Sequence, residues 1–384
     1  MHLGAARLSE RTGEPRRALL QQGHVPLGRD EQLGELVDQL AVDLDVRPVS
    51  LLDPEQSRAP GEERRVGGEV ATVEEVPADR REFHRRSIRC LKRDFLTGEE
   101  LGAFELGKLL DRAAALKAGR ADRLGAESLA GRSIALVFEK PSTRTRISFD
   151  VGVAELGAHP IVLRGDELQL SRGESIGDTA RVLSRYVDAI VIRSGSHDVV
   201  SALAEAAEVP VVNGLTPLHH PCQALADLLT MRERFGDLQG LRLAYVGDGN
   251  NVARSLGIAG ELAGVEVVVA APPDYQLEEG HGVKLTDDPR AAAADADALY
   301  TDVWVSMGDE DEARRRRADL APYQLDADLL AAAKERAIVL HCLPAHPGEE
   351  ISAEVLYGVH SAVWDQAENR LHAQKALLEH LLEP

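Results

Sequence analysis

From about residue 88 onward, short apolar runs alternate with helix-period patterns, and that alternation limits the fold more tightly than any other feature of the chain. Ile134 to Phe138, Ile161 to Leu163, Ala189 to Ile192 and Val209 to Val212 are apolar runs of strand length, each followed by a helix or loop. After a long helical pattern from Pro221 to Phe235, Leu243 to Val246, Val265 to Ala270, Ala298 to Tyr300 and Ile338 to Leu340 repeat the arrangement. Near-continuous apolar strands separated by helices are the pattern of parallel sheets covered on both faces. The expected fold class is therefore α/β, with two Rossmann-like domains of parallel sheet joined by a long helix and closed by a C-terminal helix. The expected division is an extension over 1–82, a first domain over 83–220, a second over 221–364, and a helix over 365–384 packing back on the first. At the front of the first domain, Thr97 and Glu100 read as a capping box ahead of an apolar stripe at Leu101, Phe104, Leu109, Ala113 and Leu116.

Residues 1 to 80 differ in composition. They hold no lysine, and they carry 10 Arg against 16 acidic residues. Ser57 to Arg81 is rich in Pro, Gly, Glu and Arg with little to bury, so it reads as a disordered linker. Ahead of it, Leu33, Leu36, Val37, Leu40 and Leu44 recur at helical spacing and allow one short helix. Acids appear early in this Arg-rich stretch, which argues against a transit peptide.

The whole chain has 64 acidic residues against 44 Lys plus Arg, a formal charge of -20, so nucleic acid is not expected as a partner. No apolar window approaches the roughly 18 residues a membrane helix needs. Three scattered cysteines, Cys90, Cys222 and Cys342, do not make a disulfide framework and point to a reducing, cytoplasmic setting.

Open parallel sheets bind ligands beyond the carboxyl ends of their strands, so reactive residues are expected in the loops there. After the first strand comes Ser142-Thr143-Arg144-Thr145-Arg146. Free N–H groups at a helix N-terminus, three hydroxyls and a guanidinium make an oxyanion site. Ordinary capping would account for only one of the hydroxyls. The GxxxxGK[ST] phosphate loop is absent. Further on, His219-His220-Pro221-Cys222-Gln223 opens the connecting helix, and His220 and Gln223 fall three apart on its first turn. With one cysteine there and the other His-Cys pair distant at His341 and Cys342, no metal is expected. The Gly247-Asp248-Gly249 turn imitates a dinucleotide fingerprint, but Val252 stands at the third glycine position and no acid is placed for a ribose. Its glycines are expected to let the chain turn tightly while Asn251 faces the cleft. Asp302 and Cys342 each follow a strand of the second set; a carboxylate beside a thiol suits an amine that must lose a proton before attacking, although a helix cap and an inert buried thiol would look the same.

Taken together, Ser-Thr-Arg-Thr-Arg, His-Pro-Cys-Gln, His-Cys-Leu-Pro, Glu174 to Leu183 and Asp365 to Arg370 resemble the aspartate/ornithine carbamoyltransferase superfamily in order and spacing, from about residue 88 to the end. Asp302 to Gly308, with Ser306-Met307-Gly308, is similar to its ornithine-binding loop. The resemblance implies that Ser142, Thr143, Arg144 and Thr145 hold the phosphate of carbamoyl phosphate, with Arg193 and His220 on its carbonyl oxygen. It further implies Gln223 and the backbone carbonyl of Cys342 or Leu343 on the carbamoyl amine, and Arg370 as another cation. Asn251, Asp302, Ser306 and Met307 would hold L-ornithine, with Asp302 and Cys342 addressing its side-chain amine. Gln169 matches a position that reaches into the neighbouring subunit's site, so a homotrimer is the implied minimum. No cofactor or metal is implied, and nothing in the resemblance covers residues 1–82.

Overall fold

In the computed structural model, the structure describes residues 92–165, 167, 173–305 and 312–383. The short helix expected near Leu33 to Leu44 and the linker after it lie outside the described residues, as do Gln169, Ser306 and Met307.

Helix α1 (Ala103–Ala118) leads into a four-stranded parallel sheet. This sheet is formed by β1 (Ser133–Phe138), β2 (His159–Arg164), β3 (Ala189–Arg193) and β4 (Val211–Leu215), in the order β2-β1-β3-β4. Its connecting helices are α2 (Thr143–Glu155), α3 (Ile176–Leu183) and α4 (His197–Ala206). Helix α5 (Pro221–Phe235) then leads to a five-stranded parallel sheet of β5 (Arg242–Val246), β6 (Glu266–Ala270), β7 (Val283–Thr286), β8 (Ala298–Thr301) and β9 (Ile338–His341). The order is β7-β6-β5-β8-β9, with α6 (Asn251–Ala263) following β5. The central strands are buried at all but one end residue each because helices cover both faces, which is why they read as continuous apolar runs. The long helix α7 (Val363–Leu382) packs against α1, α2 and α5. Among the described residues no helix is long and apolar enough to cross a membrane.

Three local expectations need correction. The pair Thr97 and Glu100 does not cap α1. The Glu100 carboxylate instead accepts the N–H groups of Leu96, Thr97 and Gly98 at 2.8 to 3.0 Å and closes a turn, while Glu105 reaches back to the Gly102 N–H at 3.1 Å. The fourth strand starts at Val211, two residues after Val209, and runs on to Leu215, three beyond Val212; Asn213-Gly214 looks like a turn, but the Asn213 N–H donates to the carbonyl of Phe95 alongside. Strand β7 was missed because Val-Lys-Leu-Thr is a half-buried edge strand without a continuous apolar run.

Helix α6 lies flat on this edge because it presents glycine there. A methyl group on Gly257 would stand 2.1 Å from the carbonyl oxygen of His281 and 2.3 Å from Cγ1 of Val283. Gly257→Ala is therefore expected to lower unfolding stability by about 2 kcal/mol, because overpacking outweighs the helix-propensity gain. Urea denaturation followed by circular dichroism checks this; a variant as stable as the parent would mean that the helix can shift freely.

Candidate active site

The order of each sheet reverses once, between β1 and β3 and between β5 and β8, and such reversals open a crevice beyond the strand ends. The first crevice is bounded by the Ser142 to Thr145 turn after β1 and by Arg193 ending β3. The second is bounded by Asn250 and Asn251 after β5 and by Asp302 after β8. The chemistry singled out from the sequence thus falls at the two places where the topology makes room.

At the first crevice, Ser142 takes the N-cap position of α2, yet its hydroxyl makes no capping bond; it accepts from Nη1 of Arg193 at 3.1 Å. The buried Thr145 hydroxyl accepts from Nη2 of Arg370 at 2.8 Å. Thr143 is exposed at the helix start. Arg370 comes from α7 and also donates from Nη1 to Oε1 of Gln223, with Nε2 of His220 3.5 Å away. His220 and Gln223, three apart, do meet at one spot. The backbone N–H of His220 donates to the hydroxyl of Ser255 in α6 at 2.8 Å, so α6 fixes the start of α5 from which the imidazole projects.

Three guanidiniums, those of Arg144, Arg193 and Arg370, therefore gather at one turn, and every hydrogen-bond partner they have there is neutral. Burial, then the positive charges of Arg370 and Arg144, pull Arg193 down to about 10. Burial and the same cluster hold the His220 imidazole well below its ordinary value, so it is neutral at pH 7. Nε of Arg193, Nε of Arg370 and Nδ1 of His220 are buried without a protein partner. A site that drives cations together and leaves buried donors over is built to receive an anion.

Across the cleft, Asp302 is buried and accepts from Sγ of Cys342 at 2.9 Å on one oxygen and from Nδ2 of Asn250 at 2.8 Å on the other. Burial, reinforced by the Asp302 charge, pushes the Cys342 thiol well above its usual range, so it stays protonated and donates. Asn250 also caps α6 and accepts from the Tyr245 hydroxyl at 3.1 Å. Sequence reasoning misses Asn250; its signal is an Asn in the N-cap position directly before Asn251. Asn251 itself donates from Nδ2 to the carbonyl of Thr216 at 2.6 Å, joining the two sheets' loops. Arg144 joins them again, donating from Nη2 to the carbonyl of Leu343 at 2.6 Å. Cys222 has no such position: buried, its thiol is pushed up to about 12 and points at the Asn213 carbonyl.

Asp302, His341 and Cys342 bring one potential metal-ligand atom each within 4.8 Å of one another. Their atoms are already committed. Nδ1 of His341 takes the Leu343 N–H at 2.9 Å, its Nε2 pairs with Glu350 at 3.2 Å, and the thiol carries its proton toward Asp302. The Gly247 to Asn251 turn is no better suited to a dinucleotide. A methyl group on Gly249 would lie 2.7 Å from the Tyr275 carbonyl and 2.8 Å from the Leu277 nitrogen, so protein backbone occupies the approach that a pyrophosphate needs.

The comparisons with known proteins agree with this geometry. Residues 93–233 match the family described as aspartate/ornithine carbamoyltransferase, carbamoyl-P binding domain, and residues 239–381 match its Asp/Orn binding domain. An ornithine carbamoyltransferase of Acidothermus cellulolyticus is 57% identical over 305 residues, spanning 76% of this chain and 97% of the relative. One of Methanoculleus marisnigri is 52% identical over 301 residues, with the same shares. Among solved structures, the ornithine carbamoyltransferase of Pyrococcus furiosus is 48% identical with a TM-score of 0.72, covering 75% of this chain and 96% of that one. That of Thermus thermophilus is 44% identical with a TM-score of 0.71, covering 76% of this chain and all of that one, 100%. With both halves matched in order around the cleft just described, the chain belongs to the aspartate/ornithine carbamoyltransferase family.

Proposed function

We propose that this chain transfers the carbamoyl group of carbamoyl phosphate to the side-chain amine of L-ornithine, giving L-citrulline and phosphate. The observation that carries the reading is the gathering of Arg144, Arg193 and Arg370 with the hydroxyls of Ser142 and Thr145, opposite the Asp302 and Cys342 pair. In this reading Ser142, Thr143, Arg144 and Thr145 hold the phosphate with the first N–H groups of α2, where the helix dipole favours an anion. Thr145, Arg193 and neutral His220 aim donors at the carbonyl oxygen, where negative charge grows as the amine adds. Gln223 and the Leu343 carbonyl accept from the carbamoyl amine. Asp302 draws the ammonium of ornithine in and takes up its proton, the neutral amine attacks the carbonyl carbon, and as the C–O bond to phosphate breaks the nitrogen gives up its second proton to the departing phosphate. Most of the acceleration comes from positioning two substrates and stabilising charge already anticipated by fixed dipoles.

The division of labour would largely follow the sheets, with 83–220 and the 365–384 helix taking carbamoyl phosphate, helped by Gln223 and Leu343, and the rest of 221–364 taking ornithine through Asn251, Asp302, Ser306 and Met307. A homotrimer with Gln169 reaching a neighbouring site completes the reading; Ile147 and Val151, one turn apart and both exposed on α2, support self-association there. Purified protein given carbamoyl phosphate and ornithine is expected to release citrulline, and to prefer ornithine over putrescine, aspartate and an N-acylated ornithine. No product between about pH 7 and 9, the range in which a side-chain amine begins to deprotonate, would overturn the reading.

A further inference from the structure

Asp227 is wholly buried in α5, one turn beyond Gln223, and touches neither crevice directly. Two hydrogen-bond chains end on it. The first starts at Arg370, which can only donate: Nη1 meets Oε1 of Gln223, and Nε2 of Gln223 donates to Oδ1 of Asp227 at 2.8 Å. The second starts at the backbone N–H of His341, which donates to Oε1 of Gln366 at 2.8 Å; Nε2 of Gln366 then donates to the same Oδ1 at 2.7 Å. The Tyr300 hydroxyl stands 3.1 Å from that Nε2.

An amide can point either way, and here the ends of each chain decide. Arg370 and the His341 N–H are donors, so each must face an amide oxygen, and each amide nitrogen must then face an acceptor. Asp227 is the shared acceptor at which both chains terminate. We infer that Asp227 is a positioning residue of the reaction: it locks the Gln223 amide with its oxygen toward Arg370 and the cleft, and through Gln366 it anchors the strand end that presents Cys342 and Leu343. The inference rests on the carbamoyl-transfer reading above, in which a carbamoyl amine needs two acceptors, one from Gln223 and one from the Leu343 carbonyl. A single carboxylate would thus hold both acceptors in register, although one lies on helix α5 and the other in the loop after β9, about 120 residues apart in sequence.

The role needs an acceptor oxygen, not a charge. Burial pushes Asp227 up to about 7, but Oδ2 has no protein partner, so a proton there leaves Oδ1 accepting both amides. Asparagine should therefore serve, and leucine should not.

The test measures kcat/KM for carbamoyl phosphate in the intact protein and in Asp227→Asn, Asp227→Leu, Gln223→Met and the Asp227→Leu/Gln223→Met double variant, with thermal melts of each. Asp227→Leu is expected to lose about 100-fold, the scale on which misplacement of a substrate-holding group by an ångström acts. Asp227→Asn is expected to stay within about fivefold of the parent, and the two losses in the double variant to be clearly less than additive. If Asp227→Leu does not melt cooperatively, Asp227→Ser, which draws the acceptor back, replaces it. A Leu or Ser variant as active as the parent, Asn falling as far as Leu, or strictly additive losses would each overturn the inference. A parent that makes no citrulline would instead overturn the reading beneath it, so the two failures are distinct.

Discussion

Arg370→Met is expected to lower kcat/KM for carbamoyl phosphate by about 1,000-fold, the upper end of what loss of one preorganised charge-stabilising donor costs. The side chain is buried, and its two nitrogens serve Thr145 and Gln223 at once. Methionine keeps an unbranched apolar stem out to about the position of Nε and removes a buried cation, which is often tolerated by the fold, while the two oxygens left without donors each cost about 1–3 kcal/mol. The variant should thus melt earlier but still fold. Arg370→Lys separates charge from shape: an ammonium restores the positive potential but cannot fork to two oxygens, so a loss of about 100-fold is expected to remain. Steady-state kinetics with melting curves decide the matter; a Lys variant at full activity would mean that charge alone suffices.

The second large effect is a split between substrates. Arg144→Ala is expected to raise KM for carbamoyl phosphate by about 100-fold while leaving the kinetics of ornithine at saturating carbamoyl phosphate nearly unchanged, because a charge-assisted contact to a dianion is lost. Asp302→Asn should do the reverse, cutting kcat/KM for ornithine by about 100-fold. Its two carboxylate oxygens each receive a donor, the Cys342 thiol and the Asn250 amide. An amide at 302 must turn its own NH2 toward one of them, so it loses both the negative charge and one hydrogen bond. Isothermal titration with inorganic phosphate, together with initial rates for each substrate, separates the two variants. Equal damage to both substrates in Asp302→Asn would show that the loop holds the whole cleft and not one substrate.

The buried strands were legible because both faces of each sheet are covered, so their residues are apolar without interruption. The edge strand Val283–Thr286 was not, since half-exposure lets Lys284 and Thr286 into it and erases the pattern. At the site, Ser142, Thr145 and His220 could be found because their positions follow from a strand end and from helix starts, whereas Arg193 was named through the resemblance although it too closes a strand. Arg370 stood out only through the resemblance: it lies in the middle of a helix, and its meeting with Gln223, 147 positions away, is a product of packing that no local pattern encodes. Asn250 and Asp227 were overlooked for a related reason. An Asn at a helix start and an acid within a helix are both ordinary in sequence, and what distinguishes them is burial and the identity of the groups that face them.

The neutral partners of the arginine cluster carry a consequence for discrimination. Arg144 is already bonded to a peptide carbonyl, Arg193 to a serine hydroxyl, and Arg370 to a threonine and an amide. At those bonded nitrogens a ligand exchanges hydrogen bonds more than it adds them, so an uncharged molecule of the right shape adds contacts only at the unpartnered Nε of Arg193, Nε of Arg370 and Nδ1 of His220. What the protein's own oxygens cannot supply is negative charge. Selection at this crevice is thus weighted toward the valence of the ligand over its outline, and small neutral amides, however close in form to a carbamoyl group, are at a disadvantage because they bring no charge to the three guanidiniums.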